Sequence, residues 1–165
     1  MRPYSVLAGR IVQALADLDR VVSRAEMLWQ KAEQSGDDGY YDGVALNLHG
    51  FYASVERIFE DISRNLDESV PSGPEWHRDL LIQMSAAIEN VRPDVIKSQT
   101  RHVLDEYRGF RHVVQNVYTF NLRPSRLREL VHDLRGCYQM LHRDIQIFIE
   151  FIKRLDQPGK QDGMA

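Results

Sequence analysis

The stretch LRELVHDLRGCYQMLHRDIQIFIEFIKRL, residues 127–155, decides the fold. Its apolar positions Leu127, Val131, Leu134, Tyr138, Leu141, Ile145, Phe148, Ile152 and Leu155 step alternately by four and three. That spacing lays one stripe of side chains along one face of an α-helix. The rhythm runs unbroken for about four heptads, and Asn121-Leu122-Arg123-Pro124-Ser125 precedes it as a loop and helix start. At a rise of about 1.5 Å per residue, such a helix is a rod on the order of 45 Å long. Only other long helices can cover a stripe of that length, so an antiparallel helical bundle is the economical arrangement.

Working outward, Val103, Tyr107, Phe110, Val114 and Val117 predict a helix from about Thr100 to Tyr118. Leu7, Ile11, Ala14, Leu18, Val21, Ala25, Leu28 and Ala32 predict the first helix by the same spacing. Leu48, Phe51, Tyr52, Val55, Ile58, Phe59, Ile62 and Leu66 give the second a wide apolar face, with Glu56, Arg57, Glu60 and Arg64 mostly on its wet side. Trp76, Leu80, Leu81, Met84, Ala87, Ile88 and Val91 mark a shorter third helix, closed at Arg92-Pro93 because proline disfavours the α region in the residue before it. Glycine and proline cluster at Gly36 to Gly43, Pro71 to Pro74 and Pro158 to Gly163, and no run alternates like a strand. The expectation is an all-α antiparallel bundle of about five helices, one domain over 1–156, with a flexible polar tail at 157–165.

Composition agrees with a single core, since 165 residues with 43% apolar side chains amount to about one domain. The formal charge of −3 excludes a polycation that coats nucleic acid indiscriminately, so any nucleic-acid site must be a local patch. One cysteine, Cys137, excludes an internal disulfide framework. The apolar run Val6-Leu7-Ala8 is too short for an export signal, and nothing approaches the roughly 20 apolar residues that span a bilayer. A cytoplasmic location with no membrane contact is therefore expected. Between Lys97 and Arg143 nine basic residues face four acidic ones, which leaves the remainder of the chain at −8. Eight of those nine are arginines, whose planar fork suits phosphate, and His102, His112, His132 and His142 fall in the same stretch.

On the fourth helix Arg101, Asp105, Arg108, His112 and Gln115 or Asn116 recur at helical spacing as a polar stripe, with Arg111, Gln115 and Tyr118 beside it. Metal-free RNA cleavage needs a base for the 2′-hydroxyl, an acid for the leaving oxygen and a cation for the charge on phosphorus. The stripe holds these groups, and histidine serves as base or acid near neutrality. An interhelical network accounts for the same residues, with His112 donating to a backbone carbonyl and Arg108 paired to Asp105 or Glu106. Elsewhere, Cys137 is expected as a buried small side chain, His49 and His77 as surface or capping residues near helix ends, and Trp29 and Trp76 as filling the core or a dimer seam. Asp37-Asp38 reads as a helix start. With no phosphate-binding glycine loop and no metal-ligand spacing, neither cofactor nor metal is expected.

Gly109-Phe110-Arg111-His112-Val113-Val114-Gln115-Asn116-Val117-Tyr118, followed by Asn121-Leu122 and a long proline-started helix, resembles the signature helix of HEPN-domain proteins. The nearest likeness is to HepT-like ribonuclease toxins. Phe51-Tyr52 to Phe59, His77 to Met84 and Arg92-Pro93 to Ile96 share it, so the resemblance covers roughly residues 5 to 155. It implies a helical bundle that forms a homodimer and sets two motif helices across a shared cleft.

The family motif is an arginine, a polar neighbour, three further positions, a histidine, one position and a tyrosine. Here Arg111, His112 and Tyr118 match, but Asn116 stands where the catalytic histidine is expected, and an amide exchanges no proton at neutral pH. Either His112, one turn back on the same face, supplies the imidazole, or the chain does not cleave RNA by the family's route. The resemblance implies a toxin of a toxin–antitoxin pair that cleaves tRNA or mRNA, silenced by a minimal nucleotidyltransferase that attaches AMP to Tyr118. Arg111, His112 and Asn116 would be its catalytic set, with Arg108, Gln115 and Arg101 supporting RNA. The alternative is a non-catalytic HEPN subunit that binds nucleotide or the partner transferase.

Overall fold

A computed structural model of the chain describes residues 2–116 and 121–159, the side chains of Gln115 and Asn116 excepted. It contains α1 (Pro3–Ser35), α2 (Gly39–Ile62), α3 (Trp76–Met84), α4 (Ser98–Asn116) and α5 (Pro124–Leu155), and no β-strand among the described residues. No helix there is long and apolar enough to cross a membrane. Prolines stand at the starts of α1 and α5, where a missing N–H costs nothing. Gly36 ends α1 in the left-handed conformation at φ 67, and its N–H donates to the Ala32 carbonyl.

Side-chain pairs fix the helix directions. Arg10 pairs with Asp61 at 2.9 Å, so α1 and α2 are antiparallel and turn through Gly36, Asp37 and Asp38. The Asp37 carboxylate accepts the Gly39 N–H at 2.9 Å, which makes this acidic pair the expected helix start. At Gly43 an added Cβ would lie 3.0 Å from a Leu28 methyl, so α1 and α2 approach closely there and a larger residue would have to displace that methyl. Asp19 and Glu26 of α1 meet Arg135, and Tyr138 donates to the Leu15 carbonyl at 3.0 Å, which runs α5 antiparallel to α1. Tyr107 donates to the Leu130 carbonyl at 2.8 Å, setting α4 antiparallel to α5. By the same directions α4 runs antiparallel to α2, with Phe51 against Tyr107 and Glu56 reached by Arg111.

The core lies where the sequence spacing puts it. Leu7, Ile11, Leu18, Ala25, Leu48, Phe51, Tyr52, Phe59, Tyr107, Leu127, Leu134, Leu141, Ile145 and Phe148 are buried, and Trp29 closes one end. Cys137 is buried among them, and burial, helped by Asp133, pushes its thiol up to about 12, so it is an unreactive filler.

The third helix departs from its expected extent. Its apolar spacing continues through Ala87, Ile88 and Val91, yet α3 stops at Met84 and Val91 is 40% exposed. Arg92 explains the stop. Its guanidinium is wholly enclosed and forms a two-pronged pair with Asp67, Nε to Oδ1 at 2.6 Å and Nη2 to Oδ2 at 2.8 Å. It also donates to the carbonyls of Gln83, Ala86 and Pro93. Those carbonyls can converge on one side chain only if the backbone leaves the helix, and it does so in a tight turn with Asn90 left-handed at φ 62. Asp67 is presented by a π-helical turn, Ser63–Asp67, that ends α2, and Gln83 braces the same carboxylate at 2.8 Å. The N–H groups of Val95 and Ile96 both donate to the Met84 carbonyl and lead the chain into α4. The start of α4 is capped from α5, because Asp144 accepts both the Lys97 N–H at 2.9 Å and the Thr100 hydroxyl at 2.6 Å.

Removing one partner of a buried ion pair strands the other, so Arg92→Ala and Asp67→Ala are each expected to lose about 3–5 kcal/mol in urea unfolding. The double variant Arg92→Met, Asp67→Leu should recover only the part due to the stranded charge, because the carbonyls of Gln83, Ala86 and Pro93 still lose their donor. Asp144→Ala should cost about 1–3 kcal/mol by leaving the start of α4 unsatisfied, with helix content read by circular dichroism.

Candidate functional site

The polar stripe of α4 does not stand alone. Arg111 reaches inward from α4, and its Nη1 donates to Oε1 of Glu56 on α2. Glu56 is only 2% exposed, although helical spacing from the sequence places it mostly on the wet side of α2. Tyr52 lies one turn before it and Phe59 three residues after it, both buried, so Glu56 sits within the wide apolar face. Its other oxygen, Oε2, is 2.6 Å from Nδ1 of His77 on α3. One carboxylate thus ties three helices together. Burial pushes the Glu56 carboxyl up, against the opposing pull of the His77 hydrogen bond and the Arg111 charge.

His77 is the residue that helical periodicity misses. It stands at the start of α3, as expected, but it is no mere cap. Its Nδ1 lies 2.8 Å from Arg111 Nη1, and the Trp76 ring lies across it at a centroid distance of 3.6 Å. Only the packing of α3 against α2 and α4 makes this position special, and spacing along one helix carries no trace of that. His49 likewise lies inside α2, not near its end, and its imidazole is pushed down by burial and by the Arg111 charge.

Arg108, Arg111 and His112 of α4 and His77 and Arg78 of α3 share a pocket of about 250 Å³, with Glu75 at its edge. Three guanidinium groups and two imidazoles against one acidic side chain make a local anion-attracting surface on an acidic protein. His112 is exposed on this face. Arg108 is also held by Asp105, Nε to Oδ1 at 2.6 Å, the local pairing the sequence allows. That hydrogen bond pushes the Arg108 guanidinium further up. Behind the pocket, the Tyr52 hydroxyl and the Arg111 Nε are buried without a hydrogen-bond partner among the described residues, and burial pushes the Tyr52 phenol up.

The remaining sequence candidates distribute unevenly. Arg101 does not line the pocket, because it turns toward α3 and donates to the Ser85 hydroxyl at 3.0 Å. The side chains of Gln115 and Asn116, and Tyr118 altogether, lie outside the described residues.

Such an arrangement can bind a phosphodiester on arginine, with imidazoles beside it for proton transfer. No curated protein and no solved structure matches the chain. The family model described as HepT-like protein matches residues 43–152, which spans α2 from its first turns through α3 and α4 to the last turn of α5. The match takes in Glu56, His77, Arg108, Arg111 and His112 together, and covers well over half of the 165 residues. The chain belongs to the HepT-like family of HEPN proteins.

Proposed function

We propose that this HepT-like protein is an RNA-cleaving toxin that works without a metal, with the pocket between α3 and α4 as its site. The observation that carries the reading is the convergence of Arg108, Arg111 and His112 on one pocket. Arg111 stabilises the negative charge that builds on phosphorus, Arg108 holds the RNA backbone, and His112 transfers a proton as base or acid. Asn116 orients the phosphate through its amide, with Gln115 in support. The active form is a homodimer that places two copies of α4 along one cleft. A minimal nucleotidyltransferase silences it by attaching AMP to Tyr118, which brings a negative phosphate to a site made for RNA phosphate.

A second reading is favoured by two features. Asn116 replaces the expected imidazole, and the pocket arginines Arg111 and Arg108 already face Glu56 and Asp105. On that reading the chain is a non-catalytic HEPN subunit that binds nucleotide or the transferase.

Cleavage of total tRNA in the presence of EDTA separates the two. For a toxin, wild type cleaves, and Arg111→Ala and His112→Ala each lose about 10²-fold or more in kcat. Absence of cleavage by a correctly folded wild-type dimer selects the non-catalytic subunit. The modification is tested with purified transferase and labelled ATP, where Tyr118→Phe should take up no AMP; equal labelling of that variant would move the acceptor elsewhere.

A further inference from the structure

We propose that His77, oriented by Glu56, is a second proton-transfer residue of this pocket, with His112 as its counterpart. The inference rests on the RNA-cleavage reading above and fills the role that Asn116 leaves open.

Glu56 is a buried carboxylate with two donors, and an ionised carboxylate only accepts. Oε1 takes the Arg111 Nη1, and Oε2 lies 2.6 Å from His77 Nδ1; in the proposed tautomer Nδ1 carries the proton and donates it to Glu56. The 2.8 Å approach of Arg111 Nη1 to Nδ1 then joins two donors that one carboxylate holds together. This tautomer leaves the lone pair of the neutral ring on Nε2. Among the described residues Nε2 meets Arg111 Nη1 at 3.5 Å, at the limit of a hydrogen bond. The Trp76 ring, 3.6 Å away, fixes the plane. The side chain is still 30% exposed, on the pocket that Arg108, Arg111 and His112 share. A histidine serving only to join helices would spend both nitrogens on protein partners. Here one nitrogen is locked to a buried anion and the other is left for a ligand, the relation that orients a general base in hydrolytic triads.

Arg111 completes the geometry. Nη1 is engaged by Glu56, whereas Nη2 makes no hydrogen bond among the described residues and can meet a phosphate oxygen. A phosphate on Arg111 is thereby set beside His77. In the reaction, Nε2 of neutral His77 takes the 2′-hydroxyl proton and the 2′-oxygen bonds to phosphorus. The bond from phosphorus to the 5′-oxygen breaks, and protonated His112 delivers a proton to that oxygen. The products are a 2′,3′-cyclic phosphate and a 5′-hydroxyl. His77 ends protonated and His112 neutral, and exchange with water restores both.

The charged and titratable groups around His77 are Glu56 from α2, Glu75 and Arg78 from α3 and its lead-in, and Arg108, Arg111 and His112 from α4. A base must be neutral to act, so His77 governs the acid limb of the pH–rate profile and His112 the alkaline limb.

The test uses the full chain with nitrogen NMR of the imidazoles and cleavage assays in EDTA. A 2′-O-methyl oligoribonucleotide, which binds and has no 2′-hydroxyl to react, serves as the probe. The expected spectrum shows His77 protonated at Nδ1, with its Nε2 signal shifting when the probe binds. In the assay His77→Gln should lower kcat by about 10²–10⁴-fold with little change in KM and remove the acid limb. Glu56→Gln should retain the fold, scramble the tautomer and displace that limb. A purely structural His77 would lower the melting temperature and leave the profile shape unchanged. Protonation at Nε2, a His77 signal unmoved by bound probe, or cleavage by wild type with an undiminished His77→Gln rate overturns this inference alone. A wild type that cleaves no RNA overturns it together with the function it rests on.

Discussion

A single buried carboxylate holds the working end of this molecule. Removing Glu56 from water costs several kcal/mol, and only two well-placed donors, from two different helices, offset that cost. His77 and Arg111 are those donors, so the position of α3 relative to α4 is set by the two oxygens of one side chain on α2. Short connections alone would not achieve this. Residues 85–97 separate α3 from α4, long enough for α3 to pack in several ways. The enclosed pair of Arg92 with Asp67 removes that freedom by tying the loop to the end of α2, and Asp144 fixes where α4 begins. Each lock uses one charged group that the apolar core surrounds and the backbone feeds. Hydrophobic burial builds the bundle here, and buried charge selects one packing of it.

The long helices were legible in the sequence because their signal is local. The four-three spacing of Leu127 to Leu155 and of Leu7 to Ala32 needs no knowledge of partners, and the buried residues of α1 and α5 follow it closely. The same logic fails at α3. Ala87, Ile88 and Val91 keep the helical spacing, yet Arg92 draws three carbonyls out of helical geometry, an effect of tertiary hydrogen bonding that spacing does not encode. It fails again at Glu56, where a charged residue inside an apolar face reads as the edge of the wet side. Its position four residues after Tyr52 and three before Phe59 was the available sign that this carboxylate faces inward. His77 left no such sign, because its partners come from residues 21 and 34 positions away.

The charge map of the sequence is redistributed by the fold. Nine basic residues between Lys97 and Arg143 look like a continuous basic surface, but five of them are drawn into ion pairs: Lys97 with Asp94, Arg108 with Asp105, Arg111 with Glu56, Arg126 with Glu106 and Glu129, and Arg135 with Asp19 and Glu26. Arg126 and Arg135 join helices and lie outside the pocket. What the sequence presents as a stripe contracts to a site a few side chains wide, set in a chain whose remainder is acidic. Charge gathered in this way favours register over raw affinity in binding a polyanion.

That contraction bears on how the pocket handles phosphate. Arg111 is held in place by Glu56, so under the proposed function its guanidinium would meet a phosphate without losing side-chain freedom on binding. Its charge, however, is shared with a carboxylate that burial already pushes toward its neutral form. As negative charge builds on a phosphate beside Arg111, the Arg111 charge is divided between two anions, and the imidazole on the other oxygen of Glu56 is the group placed to take up a compensating proton. The carboxylate therefore couples the arginine that receives the charge to the histidine that can gain the proton. A pocket wired in this way would answer charge on a phosphate as one unit.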